Sequence, residues 1–399
     1  MTILSVNAGS SSLKFSLHQF HDHSVDSAWV SGALQGLEPG GTPSLDWSMA
    51  GQSQHETLSV KPGDGFASAF LRLRSWLRDL SGMPPLRAVA HRVVHGGADF
   101  SQATLVTPEV MQRLSQLSSL APLHQPHNLA GIEAMAQAFP DLPQIACFDT
   151  AFHGDVPPLH QRFGLPRALH EQGVRRYGFH GLSYQYILQI LQHHSQRAHQ
   201  RLLLAHLGNG ASLCAVREGK SLATTMGFSA LDGLMMGTRS GTIDPGVLLF
   251  LLEQGWSHDR LERLLYKESG LLGVSGISAD VRRLRQSTEP AAQEALALFT
   301  HRVVREAGAM TACLQGLDVL AFSGGIGEHD AVLRAEVCQA LAWMGIKLDA
   351  KRNQAARGDA VVPVHAPDSR IEVWVIPTDE GRVAAQQALA WMEQQTVAE

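Results

Sequence analysis

Residues 3–17 read Ile-Leu-Ser-Val-Asn-Ala-Gly-Ser-Ser-Ser-Leu-Lys-Phe-Ser-Leu. An apolar run reaches Asn7, a turn of Gly9, Ser10, Ser11 and Ser12 follows, and an alternating run leaves it carrying Lys14. The pattern predicts two strands joined by a tight turn. Small residues let backbone N–H groups approach an anion, serine hydroxyls add donors, and a lysine adds positive charge. The stretch therefore suits a phosphate group, although an ordinary hairpin with a serine-rich turn reads the same way. It is not a Walker A loop, because the G-x-x-x-x-G-K-[ST] spacing and the helix directly after it are missing.

Residues 202–216, Leu-Leu-Leu-Ala-His-Leu-Gly-Asn-Gly-Ala-Ser-Leu-Cys-Ala-Val, echo this pattern. An apolar run again meets a turn of small residues, Gly208, Asn209 and Gly210, before a second run. Two such hairpins, one near the start of each half, suggest a duplicated domain with a phosphate loop from each copy; chance likeness of two hairpins is the alternative.

The chain has 399 residues, enough for two ordinary domains. Its 44% hydrophobic and 17% charged residues suit a globular protein with a large core. A net charge of −5 argues against nucleic acid as a partner, since that binding rests on neutralising phosphates. No apolar run approaches the roughly 18 residues that span a bilayer, so no membrane role is expected. The first strand begins almost at the N-terminus, which leaves no room for a signal peptide. The four cysteines, Cys147, Cys214, Cys313 and Cys338, form no C-x-x-C pair. Free thiols in a reducing cytoplasm are expected. Among the 20 histidines, the pairs His91/His95 and His124/His127 and the run His193, His194, His199 bring no third ligand at a recognisable metal-binding spacing.

Strands are expected near 2–7, 12–18, 88–94, 144–148, 202–207, 212–217, 317–323 and 371–376, with helices near 64–80, 107–119, 182–194, 291–315, 328–344 and 380–395. Residues 32–65 are rich in Gly, Ser and Pro and read as short antiparallel strands and turns. The alternation predicts an α/β architecture with parallel pairing and a domain boundary near 150. Asn7, His95-Gly96-Gly97, Asp149, Gly208-Asn209-Gly210, Gly324-Gly325 and Thr378-Asp379-Glu380 each follow the end of a predicted strand. Ligands of open α/β sheets bind at such ends.

Nine segments, in order, resemble those of the acetate kinases: 6–15 (VNAGSSSLKF), 91–97 (HRVVHGG), 121–126 (APLHQP), 148–153 (FDTAFH), 175–181 (RRYGFHG), 206–213 (HLGNGASL), 226–246 (MGFSALDGLMMGTRSGTIDPG), 323–329 (SGGIGEH) and 378–381 (TDEG). The likeness runs nearly end to end. It implies the duplicated two-domain fold of the acetate and sugar kinase/Hsp70/actin superfamily, with ribonuclease H-like halves and an interdomain cleft. The domains would be 1–150, with a C-terminal helix at about 382–399 packing back on it, and 151–381 for nucleotide binding and dimerisation.

The reaction implied by the resemblance is acetate + ATP ⇌ acetyl phosphate + ADP, in the cytoplasm, with Mg²⁺ or Mn²⁺ and in a homodimer. The resemblance assigns Arg92 and Arg239 as active-site arginines and His180 as a donor to the transferring phosphoryl group. Asn7 and Glu380 match the metal site. Lys14, Ser10 and Ser12, together with His206, Leu207, Gly208, Asn209 and Gly210, match nucleotide contacts. Asp280, Val281 and Arg282, and Gly325, Ile326, Gly327, Glu328 and His329, match the adenosine side. Asp149 matches a residue given a proton-transfer role in the family. A carboxylate acceptor is already ionised near neutral pH, so Asp149 is expected instead to orient an arginine or a metal-bound water.

Taken singly, each of these residues has a plainer reading: surface ion pairs for the arginines, a structural histidine for His180 beside Tyr177 and Phe179, and a turn residue for Asn7. The acetate pocket maps onto Arg92, Val94, Leu123 and Ala230. Ala230 stands where the family commonly has proline, which predicts a slightly wider pocket that accepts propionate. Thr242 replaces a common aspartate, Leu182 and Tyr184 replace threonine and histidine, and His329 replaces asparagine. Propionate kinase or a broad short-chain acyl kinase is the near alternative. A sugar kinase of the same superfamily and an actin- or chaperone-like ATPase switch are the distant ones.

Overall fold

Apolar runs that are buried on both faces make the centre of each of two sheets. The computed structural model describes all residues except 10–11, 38–40, 50, 59–64, 81 and 399; of 65–69 and 396–398 it describes the backbone. Ser10 and Ser11 thus lie outside the described residues. Two compact units emerge, Met1–Ala151 with Asp379–Glu399, and Phe152–Thr378.

In the first unit β1 (Thr2–Ala8), β2 (Leu13–His21) and β3 (Ser24–Gln35) form an antiparallel meander, extended by β4 (Ser44–Met49) and β5 (Gln52–Thr57). On its other side β1 lies parallel to β6 (Leu86–Val93). A short β7 (Thr104–Leu105) pairs antiparallel with β8 (Gln144–Phe148), which lies parallel to β6. In the second unit β9 (Arg201–Leu207), β10 (Ala211–Arg217) and β11 (Lys220–Thr224) form another antiparallel meander. There β9 lies parallel to β12 (Val319–Ser323), while β13 (Val362–Pro363) pairs antiparallel with β14 (Glu372–Val375), which lies parallel to β12.

The strand orders are β5-β4-β3-β2-β1-β6-β8-β7 and β11-β10-β9-β12-β14-β13. From the meander onward they match strand for strand, in order and in direction. The fold is a duplicated α/β arrangement, with β1 equivalent to β9 and the turn after Asn7 equivalent to the turn at 208–210.

Local chemistry explains the main elements. Strands β8 and β12 are buried at every position, as parallel strands covered on both faces must be. The β10–β11 turn places Glu218 and Gly219 at φ 54° and 78°, the pair of positive φ values a two-residue hairpin needs. The C-terminal helix Glu380–Ala398 buries Val383, Ala384, Ala385, Ala388 and Leu389. Its small residues permit close approach to the first sheet, where Ser5 Oγ donates to the Gly381 carbonyl at 2.6 Å.

Several elements differ from expectation: β3, β11 and the helices Pro245–Glu253, His258–Lys267, Gly270–Ser275 and Val281–Gln286 were not expected at these positions. The segment 328–344 is not one helix: Asp330 (φ −92°, ψ 88°) interrupts it, and its carboxylate caps the next helix by accepting from the N–H groups of Val332 and Leu333. The helix Gln125–Ala138 was not expected, because buried Gln125 and Asn128 break its apolar stripe. Cys147, Cys214 and Cys338 are buried and all four thiols are free. Burial pushes the Cys214 and Cys338 thiols up to about 12. Among the described residues, no helix is long and apolar enough to cross a membrane.

His91, on β6, is 3% exposed, with its Nε2 2.8 Å from Gln144 Oε1. Burial lowers its pKa from 6.5 to about 4. The folded protein therefore holds a neutral imidazole where the unfolded chain takes up a proton. His91 stabilises fully above pH 6.5, and that contribution is lost as pH falls toward 4, amounting to ~3 kcal/mol. Urea unfolding of wild type and His91→Gln at pH 7.5 and 4.5 is expected to show wild type losing more stability on acidification. Equal losses in the two proteins would remove His91 from the acid response.

Candidate active site

In the first unit the ends of β1, β6 and β8 gather polar groups. Arg92 lies one residue before the end of β6, and Asp149 directly follows β8, its N–H donating to the Val93 carbonyl at 3.0 Å. The Arg92 guanidinium donates to Asp149 through Nε (3.1 Å) and Nη2 (2.7 Å), and its Nε lies 3.4 Å from Glu380 Oε2. The Asp149 side chain is 1% exposed and that of Arg92 18%. Burial works against the Arg92 charge, but Asp149 and Glu380 outweigh it and hold the guanidinium pKa above its ordinary value. This is an anchored fork, the geometry that receives carboxylate or phosphate oxygens.

Val94 is buried and Leu123 half-buried. The N–H of Val94 donates to Asn128 Oδ1 at 3.0 Å, and Asn128 Nδ2 donates to the Ala8 carbonyl at 2.8 Å. Gln125 accepts from the N–H of His95 and donates back to its carbonyl. Asn128 and Gln125 thus lock the chain after β6 to the end of β1. The sequence signal for them was one amide inside the APLHQP run and a second two residues after it. In the turn after β1, the Gly9 N–H donates to the Ser12 carbonyl at 2.7 Å, and Lys14 is exposed opposite Asn7 in the hairpin.

The second unit assembles a different set. His180 precedes the helix Gly181–His194 and adopts φ 59°, ψ 24°, a left-handed conformation that costs a non-glycine residue about 1–3 kcal/mol. Such strain is typically kept at a working position. Its ring stacks on His206 with centroids 4.2 Å apart. Its Nδ1 lies 2.8 Å from Ser212 Oγ. A Cβ on Gly210 would stand 2.7 Å from Arg239 Nη2 and 3.2 Å from His180 Nε2. Both side chains therefore face the turn at 208–210, and only glycine at 210 leaves that space open. Arg239 Nη1 donates to the Ala230 carbonyl at 2.8 Å, so the residue predicted to shape the acetate pocket also anchors this arginine. Gly237 donates its N–H to the Asn209 carbonyl at 3.0 Å.

The segments 280–282 and 325–329, expected on the adenosine side, are joined by Arg285, which the motifs did not single out. Asp280 caps the helix Val281–Gln286 and binds its own Arg282. From that helix Arg285 reaches Asp330, directly after 325–329, at 3.2 Å. Below 325–329, fully buried Arg334 donates to the carbonyls of Gly327, Glu328, Asn353 and Ala356. Glu328 Oε1 accepts from the N–H groups of Gly324 (2.8 Å) and Thr378 (3.1 Å). His329 turns its Nδ1 to the Arg357 carbonyl at 2.6 Å. Thr242 donates to Asp232 Oδ1 at 2.7 Å, and Asp232 pairs with Arg176 at 2.9 Å.

Asn7 and Glu380 offer an amide oxygen and a carboxylate. Ser5, on the same face of β1 as Asn7, bonds Gly381 beside Glu380, which brings both donors to one end of the strand. An all-oxygen pair of this kind fits a hard divalent cation. Among the described residues, the one group of three potential metal-ligating side chains, His258, Asp259 and Glu262, lies elsewhere on the second unit.

The model of the acetokinase family matches residues 2–386. An acetate kinase of Rhodopseudomonas palustris is 48% identical over 387 residues, covering 96% of each chain. The crystal structure of Porphyromonas gingivalis acetate kinase superposes with a TM-score of 0.87 at 34% identity, covering 98% of this chain and 99% of that one. A propionate kinase from Francisella tularensis gives 0.88 at 34% identity, with 97% and 98% coverage. With the family's motifs in order along both units, this chain belongs to the acetokinase family, the carboxyl-group phosphotransferases that use ATP.

Proposed function

We propose that the protein is an acetate kinase that phosphorylates acetate reversibly to acetyl phosphate by direct in-line transfer from ATP. The Arg92–Asp149 pair carries this reading. A sugar kinase needs a carboxylate free to deprotonate a hydroxyl, whereas Asp149 is buried and engaged twice by a guanidinium. An acceptor that is already an anion needs no base; it needs a cation to meet it. Arg92 would bind the acetate carboxylate, with Val94, Leu123 and Ala230 around the methyl group. Arg239 and His180 would stabilise the charge on the moving phosphoryl group, and the turn at 208–210 with Lys14, Ser10 and Ser12 would hold the phosphates. Asp280, Val281 and Arg282 and the segment 325–329 would contact adenosine. Mg²⁺, held through Asn7 and Glu380, would neutralise phosphate charge when bound.

Propionate is the second substrate, favoured by Ala230 in place of proline. One methylene is worth about 0.8 kcal/mol of burial, and apolar pockets discriminate one by roughly 10–200-fold. Initial rates with ATP and Mg²⁺ are expected to give the highest kcat/KM for acetate, with propionate within that range. A higher value for propionate would make the enzyme a propionate kinase, and a higher rate with glycerol would overturn the carboxylate reading.

Free thiols support a cytoplasmic location. The protein is proposed to be a homodimer. The helix Pro245–Glu253 has no buried residue and leaves Val247, Leu249, Phe250 and Leu252 between 46% and 62% exposed, as an interface helix would. Sedimentation is expected to find a dimer that Leu249→Glu with Phe250→Glu dissociates; a monomeric wild type would contradict this.

A further inference from the structure

Two side chains stand in line behind the working face of His180. Ser212 Oγ lies 2.8 Å from His180 Nδ1, and Tyr184 Oη lies 2.5 Å from Ser212 Oγ. Tyr184 and Ser212 are 0% exposed, and His180 is 8% exposed. Tyr184 is one turn along the helix that His180 opens, and Ser212 is on β10. The other ring nitrogen, Nε2, faces the turn at 208–210 beside Arg239 Nη2.

Hydrogen accounting gives the line a direction. Burial holds the pKa of the Tyr184 phenol well above the ordinary value, so the hydroxyl keeps its proton. That proton is satisfied by donation to Ser212; a buried donor left without an acceptor is penalised. Ser212 then has its single proton to give, and His180 Nδ1 is there to accept it. An imidazole that accepts at Nδ1 carries its proton at Nε2 when neutral, and so donates toward the phosphate turn. The opposite tautomer would turn an acceptor lone pair toward phosphate oxygens.

We propose that Tyr184, acting through Ser212, is a positioning residue that fixes His180 as the Nε2–H tautomer and so aims a donor at the transferring phosphoryl group. This rests on the phosphoryl-facing role given to His180 above. Neither Tyr184 nor Ser212 touches substrate in this scheme; the chain acts through the ring.

The test uses the Tyr184→Phe enzyme, which loses one hydroxyl and keeps the aromatic volume, with Ser212→Ala as a second variant. Proton–¹⁵N correlation spectra of protein labelled with ¹⁵N-histidine, assigned by comparison with His180→Asn, are expected to show the Nε2–H form in wild type and a mixture including Nδ1–H in both variants. Their kcat is expected to fall about tenfold, the scale of one hydrogen bond, with KM for ATP and acetate changing less than about twofold. An unchanged His180 tautomer in both variants overturns the proposal, even if kcat falls. A wild-type enzyme without acetate-dependent turnover overturns the underlying role of His180, while the spectra of the resting protein still report on Tyr184.

Discussion

Replacing Arg239 with alanine is expected to lower kcat by about 10³–10⁵, the range for an arginine that stabilises phosphoryl-transfer charge. The transferring group spreads negative charge over its equatorial oxygens, and the protein does little covalent chemistry, so positioned cations carry most of the acceleration. Arg239 is positioned in this sense. Its Nη1 is fixed by the Ala230 carbonyl, and its Nη2 faces the space above Gly210. The loss should appear in kcat more than in KM for ATP, because the charge it meets grows toward the transition state. Added guanidine should restore part of the rate in the alanine variant. A loss below tenfold would remove Arg239 from the reacting centre.

The second large effect concerns Arg92 and Asp149. Arg92→Ala is expected to cost kcat/KM for acetate about 10²–10³, the scale for one preorganised electrostatic partner. Asp149→Ala should cost a comparable amount if its work is to hold the fork in place. The double variant then decides the role of Asp149. Residues acting as one unit are strongly non-additive, so losing both should cost little more than losing Arg92 alone. Were Asp149 to move a proton independently, its loss would multiply that of Arg92. Full multiplication of the two effects would restore a proton-transfer role and contradict the positioning role.

The sheets are largely legible in the sequence because central strands of an α/β sheet are buried on both faces and read as unbroken apolar runs. Val319–Phe322 and the Leu202–Ala205 stretch of β9 are examples. The duplicated topology is foreshadowed by the two hairpins with small-residue turns. The helix Gln125–Ala138 is not legible, because Gln125 and Asn128 are buried for their hydrogen bonds rather than exposed. The break at Asp330 is hidden in an otherwise helical pattern, since a cap is recognised only when the N–H groups it satisfies are known. Motif residues such as Arg92 and Asp149 can be singled out from sequence, but not that two hydrogen bonds join them across 57 positions. The supports are harder still. Ser212, Arg285 and Arg334 look like ordinary strand and helix residues until the chain brings His180, Asp330 and the 325–329 segment to them.

The central claim is that an ionised carboxylate accepts the γ-phosphoryl group. It is tested most directly by incubating the purified protein with ATP, Mg²⁺ and acetate, trapping acyl phosphate as its hydroxamate and measuring ADP in the same samples. Acetate-dependent hydroxamate in equal amount to ADP, with little ADP formed when acetate is left out, is the predicted result. ADP formed without hydroxamate, at a rate indifferent to acetate, would contradict it.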